Sequence, residues 1–392
     1  MTKKTVGIIS EKPGIILYLE SIGLLTGIIL GAGIFVLPFV FSQAGIFWGL
    51  LHFIITLFLI VILNFLYGEA TFLTLGRHRF TGYVRMYLGQ SASHLAFLTT
   101  ILSYYGSLLI YGLLGGIFLE NIFNGGRGSS NAFWFSLLFF VIAGIFSVLR
   151  FEKIGAVNFY LTLPLLFFIL YLAAASWPLF DFANFKVDFS FNEAWFLPYG
   201  VWLFALSGFA SLPEARDMMK GASLRDFKKV ILWSILIAAF FSLIFALSVL
   251  GITGAQTSED ALAGLKSFLG QKGVMVGSLI GFLAVFTSYL ALIADSKEIF
   301  RIDYNFSAGS AWLFSFVPPL FLFLFGATGL AAVLSFIGAV GLGIFGIFIL
   351  KISERIESQE ATVSHWRGFF KWLAGAGILL GALYEIWSIL LK

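Results

Sequence analysis

Two short stretches of this chain carry the groups that a ligand site inside a membrane needs. Gly27-Ile28-Ile29-Leu30-Gly31-Ala32-Gly33 and Leu206-Ser207-Gly208 interrupt long apolar runs, and each leads into the same pattern, Gly-x-x-x-Leu-Pro, at Gly33 to Pro38 and at Gly208 to Pro213. In hydrocarbon an unpaired backbone amide or carbonyl costs several kcal/mol, so a helix unwinds only where the freed groups line a cavity or hold a ligand. If the first stretch unwinds at Gly31, Ala32 and Gly33, the amides that start the next half-helix are backed by its positive dipole end and suit a carboxylate. The carbonyls that end the preceding half-helix are left for a cation. In the second stretch the carbonyls around Phe204, Leu206, Ser207 and Gly208 suit an ammonium group. One molecule carrying both charges close together is an amino acid.

Other chemistries find little support. His52, His78, His94 and His365 have no ligand spacing, there is no His-Glu-x-x-His motif and no nucleotide-binding P-loop, and the chain has no cysteine. Metal hydrolysis, ATP-driven transport by this chain, thiolate metal sites and disulfides are therefore not expected, and neither is a cofactor beyond a coupling ion. Four carboxylates, Glu20, Glu69, Asp295 and Glu385, fall in apolar segments. Such residues are functional candidates by default. Glu69 and Asp295 lie near segment ends, within reach of Arg77, Arg79 or Lys297, where either a gate salt bridge or a simple interfacial charge fits. Glu385 is expected to be peripheral.

The elements that must position these residues are membrane helices. Of 392 residues, 60% are hydrophobic and 11% charged, against roughly 25% charged in soluble chains, and mean hydropathy is +0.99. This composition excludes a soluble enzyme. Unbroken apolar runs also exclude an outer-membrane barrel, which alternates. A spanning helix needs about 20 apolar residues. Eleven segments qualify: Gly14 to Phe41, Ile46 to Leu75, Ala92 to Phe123, Ala132 to Leu149, Ile154 to Trp177, Trp195 to Pro213, Val230 to Ile252, Val274 to Ala294, Ala311 to Phe325, Leu330 to Leu350 and Phe369 to Leu391. The first is too long for a signal peptide and lacks a cleavage site, so it is expected to stay.

With the N-terminus cytoplasmic, 19 of the 24 basic residues fall on cytoplasmic loops, leaving Arg127, Lys186, Lys266, Lys272 and Lys392. That bias sets the orientation and requires an odd number of spans, with the C-terminus outside. It also accounts for the basic loops without any nucleic-acid partner. The expected organisation is a cytoplasmic N-terminus (1–13), a first five-helix repeat (14–177), an outer loop (178–194), a second repeat (195–350), a cytoplasmic connector (351–368) and an eleventh helix (369–392). Asn124 to Ser130 reads as an outer turn, and Ser258 to Leu269 as a short amphipathic piece over the outer vestibule.

The two Gly-x-x-x-Leu-Pro motifs occupy matching places in the two repeats, and five helices per repeat make the second copy inverted. Gly31-Ala32-Gly33-Ile34-Phe35-Val36-Leu37-Pro38, followed by Gly45, resembles the first-helix signature of the amino acid, polyamine and organocation (APC) superfamily, particularly its amino acid permease branches, such as the amino acid/auxin permease-like one. Phe204 to Glu214 and the stretch from Gly68-Glu69 to Gly89 are similar to the same family. The resemblance spans ten helices. It implies an all-α polytopic membrane protein of the leucine-transporter (LeuT) fold: a 5+5 inverted repeat with discontinuous helices 1 and 6, plus an eleventh helix. It also implies that a tyrosine of the third helix, Tyr104 or Tyr105, of which Tyr105 is carried into the expected site, meets the substrate carboxylate.

Against sodium-coupled members of that fold, Gly27, Leu30, Ala284, Thr287 and Ser288 match the positions of one sodium site. Three carbonyls and two hydroxyls make a neutral cage suited to a small monovalent cation. In an isolated reading, Thr287 and Ser288 equally suit hydroxyls bonded to their own helix. The fifth segment lacks the lysine that proton-coupled relatives place there. Ile34 and Ala205 stand where a second sodium would need Asn and Thr, so one site is expected.

These readings point to a secondary transporter of a neutral amino acid in the cell membrane, sodium-coupled and not an enzyme, and Phe35, Phe204 and Phe209 near the breaks favour a bulky apolar or aromatic substrate. Its expected partners are the substrate and the lipid bilayer, with no obligatory protein partner evident. Proton coupling, or an amino acid sensor on the same fold, are the alternatives. A channel would want a repeated polar pore ring, which no segment supplies, and a sensor would usually want a larger soluble segment than the short tails here.

Overall fold

The computed structural model describes residues 14–76, 78–124, 132–148, 154–359 and 365–391, and every regular element among them is helical. The expected N-terminal segment 1–13 and the outer turn after Asn124 lie outside the described residues, as do Arg77, Arg127, Arg150, Lys153 and residues 360–364 of the connector.

Helices α1 (Ile15–Ile29) and α2 (Gly33–Ala44) form one span bent by 50° at the glycine-rich break. After α3 (Ile46–Leu73) comes α4 (Phe80–Leu88), a short amphipathic helix whose length hides it from a hydropathy reading. Helices α5 (Gln90–Asn124), α6 (Ala132–Val148) and α7 (Ile154–Ser176) complete the first repeat. The second opens with α8 (Leu197–Ala205) and α9 (Leu212–Met218), two halves of a broken span, and continues through α10 (Leu224–Thr253), α11 (Lys266–Glu298) and α12 (Ala308–Leu324). Its last span is α13 (Leu330–Phe336) and α14 (Leu342–Gln359), joined by a wider π turn at Ile337–Gly341, and α15 (His365–Leu390) lies beyond both repeats.

Among the described residues, seven helices are long and apolar enough to cross a membrane, or eight with α1 and α2 as one span. Helices α6 and α12, of 17 residues each, reach about 25 Å. With the α8/α9 pair, eleven spans result. The amphipathic piece ends at Gly270, where φ of 66° interrupts α11 near its start.

Two groups of helices emerge from the packing. Helices α1, α2, α3, α8, α9 and α10 pack on one another, while α5, α6, α11 and α12 form a second group, and α7, α13 and α14 bridge them. Small residues allow the closest approaches. A Cβ on Gly200 of α8 would lie 2.1 Å from Ser335 O, and one on Gly338 would lie 1.8 Å from Gly200 O, so backbone meets backbone where α8 crosses the π turn.

Charge ties α15 to the first group. Glu69 of α3, 4% exposed, pairs with Lys228 of α10 at 2.8 Å and with Arg367 of α15 at 3.0 Å, and Glu357 of α14 pairs with Arg367 and Lys371. Arg79 goes instead to Asp295. Glu69 therefore draws its cations from helices distant in sequence, and Glu20 is exposed.

Candidate functional site

The first break is built by a change of hydrogen-bond partner. Leu30 N still donates to Thr26 O at 2.9 Å, but Gly31 N donates to Ile29 O at 2.8 Å instead of to Gly27 O, and Leu30 takes φ −76°, ψ 48°. The Gly27 carbonyl thereby loses its helical donor. α2 restarts at Gly33, where the first-turn amides of Ala32, Gly33 and Ile34 have no acceptor within the helix. The Gly31 amide, expected as part of a carboxylate cradle, is engaged by Ile29 O.

The second break frees carbonyls at the end of α8. Phe204 O accepts from Ser207 N at 3.1 Å and Ser207 Oγ at 2.8 Å, and Gly208 O accepts from Ser211 N and Oγ. The carbonyls of Ala205 and Leu206 receive no backbone donor among the described residues. The Leu206 side chain is fully buried and stands away from the cavity, whereas Phe204, Ala205, Ser207 and Gly208 line it.

The breaks press against each other. A Cβ on Gly33 would lie 2.7 Å from Ala205 Cα, and one on Gly208 would lie 2.9 Å from Ile29 Cγ1. Between them and α5 lies a cavity of about 80 Å³, lined by Gly31, Ala32 and Gly33 on one side and by Thr100, Ser103, Tyr104, Ser107 and Tyr111 on the other. It is about half the volume of a cavity that admits benzene. Leu292, Ile337, Gly341 and Phe345 complete the wall.

Tyr105, carried into the expected site, does not line this cavity. That side chain turns to α12 and donates to Phe314 O at 2.6 Å, because adjacent residues on a helix point about 100° apart and α5 turns the face of Tyr104 and Tyr111 to the cavity. Tyr111 Oη lies 3.4 Å from where a Gly31 Cβ would sit. Tyr104 Oη donates to Asp295 Oδ2 at 2.7 Å, and Asp295 Oδ1 pairs with Arg79 at 3.1 Å, with Glu298 on the other side of the guanidinium. Burial disfavours the Arg79 charge, but Asp295 and then Glu214 outweigh it and hold its pKa above the ordinary value. Tyr111, Thr100 and Ala205 are absent from the expected site. The signal for the first two is the hydroxyl stripe Thr100, Ser103, Tyr104, Ser107, Tyr111 at helical spacing.

Of the positions matched to a sodium site, Gly27 and Leu30 belong to the break itself, and Ser288 of α11 reaches it. Its Oγ is buried without a hydrogen-bond partner and lies 3.2 Å from where a Gly31 Cβ would sit. Thr287 Oγ1 donates within its own helix, to Leu283 O at 3.0 Å and Ala284 O at 3.1 Å. Gly27, Leu30 and Ala284 are buried. Helix α7 packs on both α1 and α11 and carries no charged residue.

Residues 17–378 match the tryptophan/tyrosine permease family. No curated protein matches the chain. Among solved structures, it is similar to MhsT in complex with L-phenylalanine, with a TM-score of 0.66 and 15% identity over 94% of this chain and 98% of that one. It is also similar to Mhp1, a nucleobase-cation-symport-1 family transporter, in a closed conformation with bromovinylhydantoin bound, with a TM-score of 0.63 and 15% identity over 95% of this chain and 91% of that one. At that identity the likeness establishes the LeuT fold of two inverted five-helix repeats.

Proposed function

The chain belongs to the tryptophan/tyrosine permease family, a multi-pass transporter family and not an enzyme family, and from that premise we propose that it carries a neutral aromatic amino acid across the cell membrane by alternating access, driven by sodium through one site. The observation that carries this reading is the contact of the two helix breaks, Gly33 against Ala205 and Gly208 against Ile29. They set helix-start amides opposite helix-end carbonyls across a cavity whose lining carries no charged side chain. Ala32 and Gly33 hold the carboxylate through their amides, and the Ala205 carbonyl holds the ammonium group. A net-neutral substrate follows, because an ionised side chain would find no counter-charge there.

Sodium enters as co-substrate. Gly27 O, freed by the break, and the unpartnered Ser288 Oγ support a cage with Leu30, Ala284 and Thr287, which would tie α1 to α11 when the ion is bound. The broader APC kinship and an orientation with the N-terminus cytoplasmic and the C-terminus outside belong to the same reading, the latter supported by 19 of 24 basic residues on one side. One observation favours proton coupling as a second reading: Asp295, a buried carboxylate, is bonded to the cavity-lining Tyr104.

The test is uptake of labelled tyrosine and tryptophan into proteoliposomes of the purified chain under a sodium gradient or a pH gradient. Sodium-dependent accumulation supports the proposal. Accumulation that ignores sodium and follows the pH gradient moves the coupling to Asp295, and uptake of neither amino acid overturns the substrate assignment.

A further inference from the structure

A polar group in the cavity has no hydrogen-bond partner among the described residues. Thr100 of α5 lines the cavity and is 2% exposed, and its hydroxyl is buried without a hydrogen-bond partner. Neighbouring hydroxyls on the same helix behave otherwise. Thr99 Oγ1 donates to Leu95 O at 3.0 Å, Ser103 Oγ to Thr99 O at 2.8 Å and Ser107 Oγ to Ser103 O at 2.8 Å. Back-bonding of this kind is the ordinary resting place of a helical hydroxyl. Thr100 alone among these four leaves it, and a buried hydroxyl without a partner is a standing cost that a ligand can remove.

Its position gives the ligand a direction. Thr100 precedes Tyr111 by eleven residues, about 16 Å of helix. The Tyr111 side chain leans back along that distance to meet Gly31 at the break. A ligand that reaches from the break to Thr100 therefore lies extended along α5. Phe209, Leu292, Ile337 and Phe345 supply apolar walls to the same cavity. Phe209 and Phe345 stack with centroids 5.0 Å apart, and a ring entering between the break and Thr100 must part them.

Resting on the function proposed above, we propose that Thr100 is the specificity-determining residue that reads the polar atom of the substrate's ring. A threonine hydroxyl both donates and accepts. It therefore serves the indole N–H, which only donates, and the phenol hydroxyl, which does either. A phenyl ring offers neither and leaves Thr100 as orphaned as it is without ligand. Sites built to hydrogen-bond a polar substrate atom reject the analogue that lacks it, because their own buried group then stays unpaired.

The test is the ranking of tyrosine, tryptophan and phenylalanine by kcat/KM for uptake into proteoliposomes, in the wild type, in Thr100→Val and in Thr100→Ser. Valine keeps the shape and removes the hydroxyl, while serine keeps the hydroxyl. The wild type should prefer tyrosine to phenylalanine by about tenfold or more, Thr100→Val should lose that factor by lowering tyrosine and tryptophan while phenylalanine stays within about twofold, and Thr100→Ser should retain the ranking. An equal loss for all three substrates in Thr100→Val, or no change for any, overturns the assignment. If Thr100→Val does not reach the bilayer, the wild-type ranking decides, since equal uptake of phenylalanine and tyrosine is incompatible with a ring-reading hydroxyl. A wild type that takes up none of the three overturns the substrate reading itself, and Thr100's role with it.

Discussion

Tyr104 Oη donates a 2.7 Å hydrogen bond to Asp295 Oδ2, so a residue that lines the cavity directly holds the carboxylate that α11 pairs with Arg79. Arg79 caps α4, and α4 is held to the turn after α11 by Thr81 and Gly82 on the Asp303 carboxylate and by Arg85 on Asp303 O at 2.6 Å. Any ligand that displaces Tyr104 therefore also acts on the Arg79–Asp295 ion pair. The cavity wall and the ion pair are one hydrogen-bonded unit.

Removing the members of this unit should have unequal effects. Tyr104→Phe deletes one hydrogen bond and should lower stability by about 1 kcal/mol, whereas Asp295→Asn leaves Arg79 with Glu298 as its remaining carboxylate and should cost about 1.5 to 3 kcal/mol. Thermal unfolding of the two purified variants in detergent, compared with the wild type, reads the difference. Equal shifts would mean that the ion pair contributes no more than the tyrosine bond.

Gly33 is the tightest point between the two breaks. Gly33→Ala places a Cβ 2.7 Å from Ala205 Cα and 2.8 Å from Ala205 Cβ, so α2 and α8 must separate and uptake should fall to background. Adding Ala205→Gly takes away the methyl group but leaves the α8 backbone in the way, so rescue should be partial at most. Full uptake by Gly33→Ala alone would show that the breaks need not touch.

Ser288→Ala separates a structural hydroxyl from an ion ligand. Its Oγ has no partner in the protein, so its loss should leave thermal stability without sodium unchanged or slightly higher. Under the proposed coupling it should erase the effect of sodium on substrate affinity, and in the wild type substrate must raise sodium affinity by the same factor, typically about 5- to 150-fold. Binding titrations of each ligand at saturating and zero concentrations of the other measure both. Retained sodium dependence in Ser288→Ala would remove this residue from the site.

Asp260, in the loop before α11, links that loop to α5. It accepts from Asn121 Nδ2 and from Ala263 N, each at 3.1 Å. Burial pushes its carboxyl above the ordinary range, although the hydrogen bonds oppose the shift. A raised carboxylate pKa means that the folded chain holds the proton more firmly than the unfolded one. The contribution to stability is then complete below the usual carboxylate pKa and is lost as pH rises through the folded value. Asp260→Asn should flatten that decline in a series of melting temperatures from acidic pH upward. An unchanged slope would place the linked proton elsewhere.

Much of this protein was legible in its sequence, because membrane insertion leaves its requirements in composition. Apolar runs long enough to span, a one-sided distribution of Lys and Arg, and two Gly-x-x-x-Leu-Pro interruptions at matching places specify eleven spans, two breaks and an inverted repeat without reference to any contact. Each is a local property of chain and solvent. The partners of individual side chains are not. Tyr104 and Tyr105 are adjacent and of one type, and only the packing of α5 against α11 and α12 decides that the first meets Asp295 while the second meets Phe314 O. Glu69 lies near Arg79 in sequence yet pairs with Lys228 and Arg367, because α10 and α15 bring their cations to it. The π turn at Ile337–Gly341 and the engagement of the Gly31 amide by Ile29 O depend on how neighbouring helices crowd the backbone, and Thr100 matters only because the elements around it enclose its hydroxyl without offering it a partner. Hydrophobicity and charge along the chain determine which segments cross and which way they run, while direction around a helix axis, and hence chemistry in the cavity, exists only once the helices have packed.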